Sequence, residues 1–172
     1  MQMIAKSERL VLRKIDERDA AFLLELMNEP AYYAMIGDRG LRTLDDTIEH
    51  CREVFMASYD KNGFGMYLIC LNDEGQTPVG FCGLLKRDWL ELIDIGYAIH
   101  SNHWRKGYAF EACQMVLAHA LNDLGMRELM AITSLENDAS LSLLKKLGFH
   151  VTGERVHPES GDGLHVLQKR LV

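Results

Sequence analysis

The sequence predicts an α/β (α+β) fold: one domain with a central sheet of about seven strands and helices on both faces. Two observations carry this. Short apolar runs of strand length alternate with segments whose apolar residues recur at helical spacing. Their order, strand, helices, three strands, helix, strand, helix, two strands, is mixed, and mixed order builds a layered sheet with both faces covered. The chain has 172 residues. It carries no repeat, low-complexity tract or linker, so it reads as one domain over 1–172, with a core of about 8–172.

The elements follow in order. Leu10-Val11-Leu12 is a first short strand. Asp16 caps a helix with Asp19 three residues on, and Ala20, Leu23, Leu24 and Met27 form its apolar stripe. Pro30 suits the first turn of a second helical piece that stops near Gly37. Thr43 and Asp46 form another capping pair, ahead of a stripe of Ile48, Cys51, Val54 and Phe55. The pattern then changes to strands. Phe64 to Leu71 and Val79 to Leu85 flank the turn Asn72-Asp73-Glu74-Gly75 as an antiparallel hairpin, and Leu92 to Ile99 is a third strand. A helix from about Gly107 to Leu124 carries Ala109, Ala112, Cys113, Val116, Leu117 and Ala120 at helical spacing, with Gly125 as its stop. Leu129 to Thr133 is a strand, Ala139 to Leu147 a short helix ending at Gly148, and two strands near His150 to Val156 and Leu164 to Leu171 flank a polar loop, Pro158 to Gly163.

Composition narrows the function. Apolar residues make up 48% and charged residues 26%, with a net charge of −6. An acidic surface argues against nucleic-acid binding, which needs a clustered excess of Lys and Arg. It leaves room for a basic acceptor. Cys51, Cys70, Cys82 and Cys113 each lie in an apolar run with no C-x-x-C pair, as buried thiols of a reducing compartment do. Met1 to Arg9 has no signal-peptide core, and no apolar run approaches the ~18 residues that span a bilayer. A cytoplasmic protein without membrane contact is expected. The seven histidines are scattered and form no metal-ligand pattern. There is no G-x-x-x-x-G-K-[ST] loop, no early G-x-G-x-x-G and no G-x-S-x-G elbow.

The informative stretch runs from Gly96 to Ala112. A strand enters a short polar loop, and a helix begins at a glycine. The first helical turn offers unpaired N–H groups and the positive end of the dipole, a combination that holds phosphate. Gly107 allows close approach of the backbone, Ala109 keeps the next turn small, and Arg105 and Lys106 add charge. Taken alone, the same pattern also suits a solvated turn.

Trp104-x-Lys106-Gly107-Tyr108-Ala109-x-Glu111-Ala112 resembles the acetyl-CoA pyrophosphate loop of the GNAT N-acetyltransferase superfamily, and Gly96-Tyr97 fits the end of the strand before it. Downstream, Asn137-Asp138-Ala139-Ser140 followed by Leu144 to Phe149 resembles that family's second signature. Glu8-Arg9-Leu10-Val11-Leu12-Arg13 is similar to the opening strand of the RimJ/RimL-like branch, whose known members acetylate N-terminal amines of ribosomal proteins. The resemblance implies a mixed, mostly antiparallel sheet and acetyl-CoA as co-substrate, with no metal. It implies that backbone groups around Ala98 and Ile99, where the strand splays from its neighbour, bond the pantetheine arm. Trp104, Arg105, Lys106, Gly107, Tyr108 and Ala109 are then expected to hold the pyrophosphate, and Asn137 and Ser140 to contact the arm or the thiol. Asn137 also suits a helix cap.

Two positions depart from the family. Arg105 stands where close relatives often carry glycine, removing flexibility and adding a charge that can contact phosphate. Leu144 stands where many relatives carry a tyrosine acid, leaving Ser140, water or no side chain to protonate the leaving thiolate. The reaction implied is attack of a neutral amine on the thioester. An α-amino group titrates near about 8 and a lysine near about 10.4, so an N-terminal acceptor needs less help from a base. Candidate bases are Asp94, Glu91 and Glu159. On a regular strand Asp94 and Glu91 face opposite ways. His100 and His103 flank the loop, and Trp89 and Trp104 suit packing. The acceptor pocket is expected around Tyr32 to Arg42 and in the last loop. The acceptor, a protein N-terminus or a small amine such as a polyamine or antibiotic, stays open, as does a non-catalytic acyl-CoA-binding module or a plain interaction domain. A monomer and a homodimer both fit.

Overall fold

A computed structural model describes residues 2–172. Eight strands form one sheet in the order β1-β2-β3-β4-β5-β6-β8-β7. They are β1 Met3–Lys6, β2 Leu10–Lys14, β3 Met66–Leu71, β4 Pro78–Leu85, β5 Asp94–Ile99, β6 Glu128–Ser134, β7 His150–Val156 and β8 Gly163–Arg170. Each neighbouring pair is antiparallel except β5 and β6. The helices are α1 Ala20–Met27, α2 Pro30–Met35, α3 Leu44–His50, α4 Ala57–Asn62, α5 Tyr108–Asn122 and α6 Asp138–Lys146. Among the described residues no helix is long and apolar enough to cross a membrane.

Five of the six residues of β3, Met66 to Cys70, are buried. A strand covered on both faces needs apolar residues at every position rather than at alternate ones. One side of the sheet is closed by α5 and α6, which pack Ala112, Cys113, Val116, Ala120, Leu144 and Leu147 on Leu12, Ile69, Cys82, Ala131 and Leu167. The other side is closed by α1 to α3 and the segment after α3, with Leu23, Leu26, Tyr32, Cys51 and Phe55 on Leu68, Cys70, Phe81 and Ala98.

The structure adds one strand to the expected seven. β1 precedes the expected core and pairs with β2 through Ala5↔Leu12 and Lys6↔Val11. The strand expected from Leu92 begins at Asp94, and Glu91 lies three residues before it. The helix after Thr43 also differs. The capping pair forms, Thr43 and Asp46 bonding each other's backbone N–H. A π-helical segment, Cys51–Met56, then joins α3 to α4. A wider turn shifts the phase of the side chains. Cys51 and Phe55 therefore stay buried, Val54 is turned outward, and Thr47 joins the interior.

Candidate functional site

β5 is zipped to one neighbour and open to the other. It pairs with β4 along its whole length, from Leu85↔Asp94 to Gly80↔Ile99. It pairs with β6 only at Asp94↔Met130, where Met130 N–H donates to the Ile93 carbonyl at 2.9 Å. Beyond that point the two strands diverge. The bond from His100 N–H to the Val79 carbonyl, 2.8 Å, fixes which groups face the gap. In an antiparallel ladder alternate residues exchange both backbone bonds, so Ala98 and Gly96 bond to β4. Tyr97 and Ile99 turn their N–H groups into the gap. The Ile99 carbonyl, facing the same way, accepts the Trp104 indole N–H at 2.8 Å. A row of backbone donors therefore lines a cleft in the sheet, where an extended, amide-bearing chain can take the place of a missing strand.

β4 shapes this opening through Gly80. A Cβ there would stand 2.2 Å from the Ala98 carbonyl oxygen, so β4 and β5 meet too closely for any side chain.

At the open end the chain makes a short 3-10 turn, Ser101–His103, and reaches the loop before α5. Arg105 (φ 62°) and Gly107 (φ 79°) are both left-handed. α5 has no side-chain cap on its first N–H groups, which leaves them for an anion. A Cβ in the left-handed conformation of Arg105 costs roughly 1–2 kcal/mol. The loop is anchored on both sides. His100 is buried, its Nδ1 accepting from Asn102 N–H (3.2 Å) and its Nε2 donating to Glu25 (3.0 Å). Ser101 N–H donates to Glu29 at 3.0 Å. His103 lies between the rings of His100 and Tyr108, and burial lowers its pKa.

α6 faces this region from the other strand. Asn137 is its N-cap, accepting from Ser140 N–H at 3.1 Å. Ser140, in the first turn, is half-buried and bears on the hydroxyl of Tyr97, whose pKa burial pushes up to about 12 while Ser140 works against the rise. Leu144 is 2% exposed and packs in the core. The Leu144 side chain thus belongs to the interior and offers no proton to the site.

The candidate bases have different surroundings. Asp94 is 1% exposed and accepts from Arg87 Nε at 3.1 and 3.3 Å. Burial pushes its pKa up to about 6, with Arg87 limiting the rise. Glu91 is held outside by Arg155 Nη2 at 2.6 and 2.8 Å, which keeps its pKa below the usual range. Glu159 is exposed at the tip of the last loop, its N–H donating to His157 Nδ1 at 3.1 Å. Trp89 packs edge-on against His157.

Sequence reading misses four contributors: Arg87, the Tyr97 hydroxyl, Ser7 and Arg9. Arg87 meets Asp94 across the irregular segment between β4 and β5. Tyr97 stands in a motif, which hides its hydroxyl. Ser7 and Arg9, in the β1–β2 turn, bond Glu111 of α5 at 2.5 and 2.8 Å, and Arg9 Nη1 donates to the Lys106 carbonyl at 2.7 Å.

Comparison with known proteins gives the fold and the family. The uncharacterized N-acetyltransferase YoaA of Bacillus subtilis (strain 168) is 27% identical over 152 residues, 87% of this chain and 84% of that protein. A putative GNAT-family acetyltransferase from Bordetella pertussis superposes with a TM-score of 0.80 at 24% identity, covering 98% of this chain and 99% of its own. An acetyltransferase from Salmonella typhimurium, described as modifying the N-terminal serine of a ribosomal-subunit protein, superposes with a TM-score of 0.81 at 18% identity, again over 98% and 99% of the two chains. Residues 9–150 match the acetyltransferase (GNAT) domain, and the chain belongs to that family of acetyltransferases.

Proposed function

We propose that this acetyltransferase uses acetyl-CoA to acetylate a primary amine, and that the amine is the α-amino group of a protein or peptide N-terminus. The observation that carries the reading is the open end of β5. Its unpaired Tyr97 and Ile99 N–H groups run directly into the left-handed, uncapped start of α5. These residues fit a co-substrate with an amide-bearing arm and a pyrophosphate. Tyr97 and Ile99, beside Ala98, hold the arm. Trp104, Arg105, Lys106, Gly107, Tyr108 and Ala109 hold the phosphates by backbone donors and charge. Asn137 shapes the first turn of α6 so that Ser140 borders the gap.

The bound co-substrate supplies an acetyl thioester. Asp94 accepts the proton of the incoming ammonium, directly or through water. An α-amine titrates at about 8 and a lysine amine at about 10.4. An N-terminus therefore gives up its proton more readily to any base, and this favours that acceptor. As the C–N bond forms and the C–S bond breaks, the proton shed by the acylated nitrogen passes through the Ser140 hydroxyl or water to the departing sulfur. Backbone N–H groups of β5 face the region where negative charge develops on the carbonyl oxygen. Glu159 is the second candidate base, exposed on the last loop.

The test is release of free CoA thiol from acetyl-CoA with a panel of amines: peptides beginning with Ser, Ala and Thr, an internal-lysine peptide, polyamines and an aminoglycoside. Turnover on the N-terminal peptides alone is expected. Turnover on small amines alone overturns the acceptor and keeps the reaction. Binding without turnover identifies an acyl-CoA-binding module instead.

A further inference from the structure

The β1–β2 turn reaches across the sheet edge to the start of α5. Arg9 spends its guanidinium on two different partners there. Nε donates to Glu111 Oε1 at 2.8 Å and Nη1 to the Lys106 carbonyl at 2.7 Å. Its flat face lies 4.9 Å from the centre of the Tyr108 ring, and Nη2 is 3.3 Å from where a Cβ on Gly107 would stand. Ser7 Oγ donates to the other Glu111 oxygen at 2.5 Å.

Two physical consequences follow. A trans peptide plane points its C=O and N–H in opposite directions. Fixing the Lys106 carbonyl on Arg9 therefore aims the Gly107 N–H away from Arg9, across the loop. Glu111 sits in the first turn of α5, where its carboxylate suits the helix dipole. The same field attracts an anionic ligand, and an uncompensated carboxylate there repels one. Ser7 and Arg9 outweigh burial and hold the Glu111 pKa below its usual value, so the charge is present at neutral pH and requires an answer.

We infer that Arg9 is a positioning residue for the anion-binding loop, fixing the Lys106–Gly107 peptide and cancelling the Glu111 charge so that the start of α5 accepts a phosphorylated ligand. The inference rests on the proposed acetyl-CoA site. It assigns to the β1–β2 hairpin, which lies apart from the motif-bearing loop, a role in co-substrate affinity.

The experiment is calorimetric titration of the purified full chain with acetyl-CoA, alongside steady-state kinetics. Arg9→Ala is expected to weaken binding about tenfold, with the loss in the acetyl-CoA KM rather than in kcat, and to lose less at high salt. Adding Glu111→Gln to Arg9→Ala is expected to restore most of the affinity, because the repelling charge is gone. Arg9→Lys keeps a positive charge beside Glu111 and is expected to lose less than Arg9→Ala, which separates charge compensation from misfolding. Wild-type affinity in Arg9→Ala, or no recovery in the double variant, overturns the inference. If the wild-type chain itself binds no acetyl-CoA, the proposed function fails with it, so the two failures are distinguishable.

Discussion

The two ends of β5 do different work by different means. At its start, Asp94 is zipped to β4 and β6, buried, and paired with Arg87. At its end, Tyr97 and Ile99 have β4 on one side only, and the chain passes into a loop with two left-handed residues. The zipped end offers one titratable side chain in a tuned environment. The open end offers backbone groups. Side-chain chemistry needs burial and a partner to shift a pKa, whereas backbone chemistry needs only that a neighbour be withheld. One strand supplies both because its partner on one side departs after a single bridge.

Removing the side chain at the zipped end gives the largest expected effect. Asp94→Asn is expected to lower kcat/KM by about 10²–10³. In the wild type the rate is expected to rise with pH through about 6 as Asp94 ionises, and this limb to vanish in the variant. The same shift bears on stability. The folded pKa lies above the unfolded value of 3.8, so the folded state favours the protonated form. Asp94 then contributes stability at low pH that is lost between about 4 and 6, on the order of 3 kcal/mol. Chemical denaturation across that window checks the sign. A wild-type pH profile in Asp94→Asn moves the base to Glu159.

The junction between the ends is sharpened next. Gly80→Ala places a Cβ against the Ala98 carbonyl and is expected to cost about 3 kcal/mol by forcing β4 from β5. An unchanged denaturation midpoint contradicts the close approach. The smallest effect lies at the open end. Arg105→Gly relieves a left-handed residue with a Cβ and is expected to add about 1 kcal/mol of stability. Losing the charge proposed to meet the phosphates is expected to weaken acetyl-CoA binding, which a calorimetric titration reads.

The same contrast explains what the sequence disclosed. The open end is local: strand, polar loop, glycine and helix follow one another within residues 94–122, so the spacing of Gly107, Ala112, Val116 and Ala120 exposes it. The helices and central strands were legible for the same reason, through period and caps such as Asp16, Thr43 and Asn137. The zipped end is short in span but carries no pattern. Arg87 and Asp94 are seven residues apart, and the irregular segment between them turns to bring them together. β1 is four residues of mixed character, exposed at both termini, with no alternation strong enough to mark it. The π segment after α3 keeps an apolar stripe in the sequence and turns Val54 out of it. Arg9 reads as part of a strand motif, and its contact with Lys106 spans 97 residues of chain.

The central claim is that β5 binds acetyl-CoA through the backbone groups its missing neighbour leaves free. Residue-resolved amide hydrogen exchange, with and without acetyl-CoA, tests it most directly. Tyr97, Ile99 and the amides of residues 105–109 are expected to gain protection on binding, while Gly96 and Ala98, already bonded to β4, change little. Protection gained elsewhere, with Tyr97 and Ile99 exchanging as before, would contradict it.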